Sequence, residues 1–142
     1  MKKDNLRFAA FGVAVNRMLI EVCGLAWMRR YEEMTPNNFG AALELMMVSM
    51  LVSVATADGT PLITSEIARQ LKMPRSNVVR HLERLAEQGV IRLERRRYVS
   101  NFDGLDELMQ SRAFVDEVTG VVARCLAELT RLRPLLNDQM KP

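Results

Sequence analysis

Apolar residues in the first part of the chain recur on helical spacing. Phe8, Phe11, Val15, Met18, Val22 and Leu25 follow one another at intervals of three and four, which predicts one long helix, capped by Asp4 and running to about Met34. Thr35-Pro36-Asn37-Asn38 ends it. Val13, Ile20 and Trp27 lie elsewhere around that helix, so it needs cover on more than one side. Phe39 to Ala57 is almost wholly apolar, with Glu44 its only charge, and Asp58-Gly59-Thr60-Pro61 terminates it. That length approaches a membrane span. Ser49, Ser53, Thr56 and the basic stretch downstream favour a central helix buried in a soluble protein.

Polar punctuation governs the middle of the chain. Pro61 to Ile63 reads as an extended entry, and Thr64 as the N-cap of a helix to about Leu71, with Glu66 near the positive end of its dipole. Pro74 has no N–H to lose at a helix start and bars Met73 from extending the helix before it. A second helix then runs to Gly89, a residue suited to the left-handed ending. Stepping 100° per residue from Val78 brings Leu82 and Leu85 onto one inward stripe and turns Ser76 and Arg80 the opposite way. Asn77, Val79 and Arg84 lie on the flanks, with Arg75 at the helix start. After Gly89 the period falls to two: Val90, Ile91 and Leu93, then Tyr98 and Val99, flank a tight hairpin tip, Glu94-Arg95-Arg96-Arg97. The tip lacks the Gly or Asn that short hairpin turns favour, leaving its register open.

The last segment predicts another helix, capped by Asp103 with Asp106 and Glu107 in its first turn. Val115, Val118, Val122, Cys125, Leu129, Leu132 and Leu136 alternate steps of four and three, the spacing of a helix–helix seam. Pro134 is expected to kink or end it near Arg133. Pairing of this seam with the first helix, within a subunit and across a two-fold axis, would cover both surplus apolar edges.

Charge concentrates the picture on the middle segment. Thr64 to Arg97 holds nine basic and four acidic residues, a net of +5, while the whole 142-residue chain carries +3. The positive field therefore belongs to this segment, as an electrostatic footprint on DNA requires. A short, polar, cationic helix face suits the major groove, where Arg bonds guanine, Asn bonds adenine and Val79 meets a thymine methyl. Consecutive arginines at a tip suit phosphates or a narrow minor groove, although charge runs are commonly plain solvated surface.

The stretch ITSEIARQLKMPRSNVVRHLERLAEQGVIRLERRRYV resembles the winged helix-turn-helix of the MarR family of bacterial transcription regulators. SEIARQL corresponds to the positioning helix, PRSNVVRHLERLAEQGVI to the recognition helix and its exit, and RLERRRYV to a shortened wing. The resemblance implies a mainly α fold with a small β-hairpin wing, a winged helix-turn-helix flanked by N- and C-terminal dimerisation helices. The expected division is 1–60 for N-terminal helices, 61–101 for the DNA-binding module and 102–142 for the C-terminal dimerisation helix. It implies a homodimer on a pseudo-palindromic operator in double-stranded DNA. Arg75, Ser76, Asn77 and Arg80 would read bases, and Thr64, Arg84, Arg95, Arg96 and Arg97 would hold phosphate. The alternative is a winged-helix adaptor that contacts proteins instead of DNA.

Composition adds exclusions. With 49% apolar and 26% charged residues the chain is of globular type, and Cys23 and Cys125 give neither a disulfide framework nor metal spacing, which fits a reducing cytoplasm. The basic, apolar N-terminus is interrupted by Arg17 and Glu21 and closes on no cleavage site, against a signal peptide. His81 is the only histidine, so no metal pair and no triad are available; it lies at the edge of the recognition helix's buried face and reads as packing. No Gly-rich phosphate loop is present. The expectation is therefore no catalysis, no metal, no cofactor and no membrane association. Cys23, with Tyr31 eight residues on, reads as a structural thiol, with redox sensing as the minority alternative that peroxide-sensing MarR relatives suggest. Met46, Met47 and Met50 read as core filling, with an adaptable pocket for a small-molecule effector as the second reading.

Overall fold

A computed structural model of the chain describes residues 3–24, 26–104 and 110–137. Six helices and one hairpin follow in order: α1 Lys3–Gly24, α2 Ala26–Met34, α3 Phe39–Ala57, α4 Thr64–Leu71, α5 Arg75–Glu87, β1 Ile91–Glu94, β2 Arg97–Ser100, a single 3-10 turn Phe102–Gly104, and α6 Arg112–Asn137. They form two compact units, Met28–Asp106 and the two end segments Met1–Trp27 with Glu107–Pro142.

In the Met28–Asp106 unit, α3 is the platform. Its length and apolar composition would suffice to cross a membrane. One face, however, is built into a protein core: Ala42, Leu45, Met46, Val48, Val52 and Ala55 are buried among α4, α5 and β2. Hydroxyls on the same helix clamp the hairpin. The Thr56 hydroxyl accepts from the Ser100 N–H at 2.9 Å, and the Ser53 and Ser100 hydroxyls lie 2.7 Å apart. Tyr31 of α2 is buried and donates its phenol proton to Ser49 at 3.1 Å. The other face of α3 is open within the unit, with Phe39, Leu43, Met47, Met50 and Val54 exposed along helical spacing. The side expected to pack on the DNA-binding module is thus buried.

The helix-turn-helix forms where the punctuation predicts. α4 ends on Lys72, which takes the left-handed conformation (φ 53°) and closes the helix as a glycine would, its N–H reaching back to Ala68 and Arg69 carbonyls. One correction concerns its start. Thr64 is the first helical residue and Ile63 the N-cap, whose N–H is taken by the Glu66 carboxylate at 2.9 Å. The glutamate three residues on satisfies the orphan donor, so the threonine hydroxyl is not used for it. α5 starts after Pro74 and ends before Gly89, which has φ +70°. Val78, Leu82, Leu85 and Ile67 are fully buried, each contributing roughly 1.5–3 kcal/mol of transfer free energy.

The hairpin pairs Ile91 with Ser100, Arg92 with Val99, Leu93 with Tyr98 and Glu94 with Arg97, antiparallel. Arg95 and Arg96 form a two-residue connection, both at positive φ (48° and 68°), the conformation a type I′ turn demands. The extended entry joins as a third, one-pair strand, the Tyr98 N–H donating to the Leu62 carbonyl at 2.9 Å.

In the end-segment unit α1 packs along α6. Ala14 is the buried residue of α1, and the Cys125 thiol sits 3.7 Å from its carbonyl oxygen. Phe8 and Phe11, expected in the seam, are exposed, whereas Val15, Met18 and Val22 are half-buried and Leu25 lies outside the described residues. On α6 the buried set is Phe114, Val121, Cys125, Leu132 and Leu136; Val115 and Val122 face out. On α6 the first half of the seam is thus shifted by one residue, from Val115 and Val122 to Phe114 and Val121.

The ends of the long helices differ from expectation in part. Lys3–Gly24 and Ala26–Met34, the stretch expected to be one helix to Met34, are both helical, and Leu25 between them lies outside the described residues. Asp4 lies inside the first turn of α1 and not before it. α6 is capped by Ser111, whose hydroxyl accepts from the Phe114 N–H at 3.2 Å, and not by Asp103, which lies in the 3-10 turn; Asp106 and Glu107 lie outside the described residues. Pro134 does not stop α6, which continues to Asn137. Of the two outcomes expected of the proline, an end near Arg133 does not occur, and Leu136 beyond it is buried.

Candidate nucleic-acid interface

α5 turns two chemically different faces in opposite directions. Val78, His81, Leu82 and Leu85 are buried, while Arg75, Ser76, Val79 and Arg80 are exposed. The exposed set occupies the first two turns, the half of a recognition helix that meets base edges. The Arg75 and Ser76 side chains make no hydrogen bond or ion pair with any described residue, so their donors are available to a ligand. Arg84, further along, is half-buried.

The flanking side chains are less free. The Asn77 amide donates through Nδ2 toward Glu44 Oε2 at 3.5 Å, and its Oδ1 accepts from the Arg80 guanidinium at 3.4 Å. The same Glu44 oxygen lies 2.8 Å from His81 Nε2. His81 is 1% exposed, and its Nδ1 has no partner. Glu44, the only charge of α3, therefore meets the only histidine of the chain underneath the cationic helix. The sequence contains a signal for this: two lone polar groups, each on the edge of an apolar face, must find a partner when buried.

The three tip arginines divide into two kinds. Arg95 and Arg96 are exposed and unpaired among the described residues. Arg97 donates to the Pro61 carbonyl at 2.8 Å and to Glu66 Oε2 at 3.3 Å, fastening the hairpin to the start of α4. Arg92, on the outer face of β1, is held by Glu94 at 2.6 Å. Thr64 is half-buried at the first position of α4. Lys72, in the turn between α4 and α5, adds an exposed cation beside the Arg75 end of the recognition helix.

Among the described residues, no three His, Cys, Asp or Glu side chains gather as a metal site. Cys23 is half-buried and Cys125 buried, both as free thiols, and the Tyr31 phenol is committed to Ser49. Met46 is buried, whereas Met47 and Met50 belong to the open face of α3.

A family model for a helix-turn-helix domain matches residues 42–94, from early α3 to the end of β1. No curated protein and no solved structure matches the chain. The matched span contains α3, both helices of the motif and the first wing strand, in agreement with the packing that makes α3 the platform of α4 and α5. Residues 42–94 are thus a helix-turn-helix domain, here with a hairpin wing, and that domain is of the DNA-binding, transcription-regulating kind.

Proposed function

We propose that this protein is a sequence-specific regulator of the MarR-like winged-helix type, acting as a homodimer on a pseudo-palindromic operator in duplex DNA. One observation carries the reading: α5 buries Val78, Leu82 and Leu85 completely while Arg75, Ser76 and Arg80 project from its opposite side. Such a helix is braced on one side and chemically suited to a major groove on the other. Arg75, Ser76 and Arg80 read base edges, with Asn77 at the margin. Arg84, Arg95 and Arg96 hold phosphates on either side of the groove, while Thr64 and Arg97 steady the α4 and wing contacts.

Homodimerisation is supported by apolar surface that a two-helix pair leaves uncovered. On α1, Phe8, Phe11 and Ile20 are exposed, and on α6, Val115, Val122 and Leu126. Two recognition helices would then lie about one helical turn of DNA apart, ~34 Å. A cytoplasmic location and no membrane insertion accord with α3, whose Glu44, Ser53 and Thr56 all bond within the winged module. The open, methionine-bearing face of α3 is the place for an effector if one acts. No catalytic step is assigned to the chain.

Electrophoretic mobility shift after selection from random duplex, run at two salt concentrations, tests the reading. A recovered pseudo-palindrome with steeply salt-dependent binding is expected. An adaptor would show neither a shift nor a salt slope.

A further inference from the structure

We propose that Glu44 is a positioning residue for base recognition, acting through Asn77 on Arg80, and that Asn77 is itself an orienting group and not a base reader. The proposal rests on the DNA-binding reading above. Its basis is one continuous polar chain from the platform helix to the exposed face. Glu44 Oε2 on α3 meets His81 Nε2 at 2.8 Å and Asn77 Nδ2 at 3.5 Å, and Asn77 Oδ1 meets Arg80 at 3.4 Å.

The directions of these bonds matter. An asparagine reads adenine by offering one donor and one acceptor from its amide together. Here one Nδ2 proton is directed at Glu44 and one Oδ1 lone pair at Arg80, so the amide is oriented by protein partners at both ends. Asn77 is half-buried, while Arg75, Ser76 and Arg80 on the neighbouring positions are exposed. The arrangement instead suits restraint of Arg80. Its guanidinium is a fork on a long flexible stem, and a fixed neighbour that takes one N–H removes part of the freedom the arginine would otherwise lose on meeting a guanine. The carboxylate that sets the Asn77 amide is fixed in turn by the shorter contact to buried His81. Glu44 lies on α3, 33 residues before Asn77, so the orientation of the reading arginine is tied to the platform helix and not only to its own helix.

A double-substitution cycle decides it. Binding of wild type, Glu44→Ala, Arg80→Ala and the double variant is measured on the selected duplex and on duplexes altered at the base pair that Arg80→Ala ceases to distinguish. If Glu44 acts through Arg80, Glu44→Ala loses discrimination at that same base pair, by about tenfold, toward the lower end of what one bidentate base contact provides. In the Arg80→Ala background the same change then costs no further discrimination. Glu44→Gln, which keeps an acceptor oxygen, should recover most of the loss. Should Glu44→Ala fail to fold, Asn77→Ala carries the test: it must weaken discrimination at the Arg80 base pair and at no other. Loss by Asn77→Ala at a separate base pair, or equal losses from Glu44→Ala with and without Arg80, overturns the positioning role while leaving DNA recognition intact. A wild type with no sequence preference would instead remove the DNA-binding reading, and this proposal with it.

Discussion

His81 Nε2 lies 2.8 Å from Glu44 Oε2, joining the recognition helix to the platform helix beside the longer Asn77 contact to the same oxygen. His81 is almost wholly buried, whereas Glu44 keeps about 38% of its side chain exposed. The carboxylate thus stays partly hydrated while it satisfies a buried ring nitrogen, which avoids most of the desolvation cost of a fully buried ion pair.

Removing one member of this pair should be worse than removing both. Glu44→Ala leaves His81 Nε2 buried without a partner and is expected to cost about 1–3 kcal/mol in urea unfolding. Replacing both residues with leucine should cost less than that single change, since no polar group is then stranded. A double variant less stable than Glu44→Ala would show that the contact itself, and not the stranded nitrogen, carries the energy.

The wing tip holds two arginines in a backbone that favours Asn-Gly. Left-handed φ costs a non-glycine residue roughly 1–2 kcal/mol, and Arg95 and Arg96 both adopt it. Exchanging them together for Asn and Gly should raise the thermal midpoint and at the same time weaken binding to all duplexes and flatten its salt dependence. Stabilisation without any loss of binding would mean that the tip does not touch phosphate.

The apolar residues on the outer sides of α1 and α6 should hold two copies together. Ile20 is 72% exposed and Leu126 64%, so Ile20→Glu or Leu126→Glu spares the α1–α6 packing of one copy. Sedimentation equilibrium is expected to show a wild-type dimer and largely monomeric variants at micromolar concentration. A monomeric wild type would leave these faces without the proposed partner.

The Glu128–Arg131 pair on α6 gives a small pH signature. The Arg131 guanidinium bonded to it at 2.6 Å holds the Glu128 carboxyl below its ordinary value of 4.5. A carboxyl depressed on folding stabilises the fold above its unfolded value and loses that contribution as pH falls through the folded one. Both groups are solvated, so the effect on stability is minor, but Arg131→Ala should move the Glu128 titration upward in a carbon-detected NMR titration. An unchanged midpoint would show that the pair does not persist in solution.

The middle of the chain was the most readable part, for local reasons. Pro74 and Gly89 each admit few backbone conformations, and the Val78, Leu82, Leu85 stripe leaves only one side of α5 for Ser76 and Arg80. Where several residues could do the same job, the sequence was ambiguous. Thr64 and Glu66 are both able to close the start of α4, and it is the glutamate that does so, through the Ile63 N–H; Asp103 and Ser111 are both candidates to cap α6, and the serine does so. On α1 the buried residue beside Cys125 is a small one, Ala14, that an apolar heptad count passes over. Arg97 looked like its neighbours in sequence, yet it is drawn to the Pro61 carbonyl and Glu66, groups 36 and 31 residues away. The Glu44 link is likewise a tertiary fact, visible beforehand only as two solitary polar groups in need of partners.

In the proposed function the Ser76–Arg80 face of α5 reads base edges while the wing tip supplies sequence-independent attraction. Fluorescence anisotropy with the selected duplex and with random duplex, at two salt concentrations, tests it directly on the wild type, Arg80→Ala and Arg96→Ala. Arg80→Ala should lose about 1–3 kcal/mol on the selected duplex and little on random sequence, whereas Arg96→Ala should weaken both alike and reduce the salt slope by about one. Equal losses on both duplexes for Arg80→Ala would contradict the account.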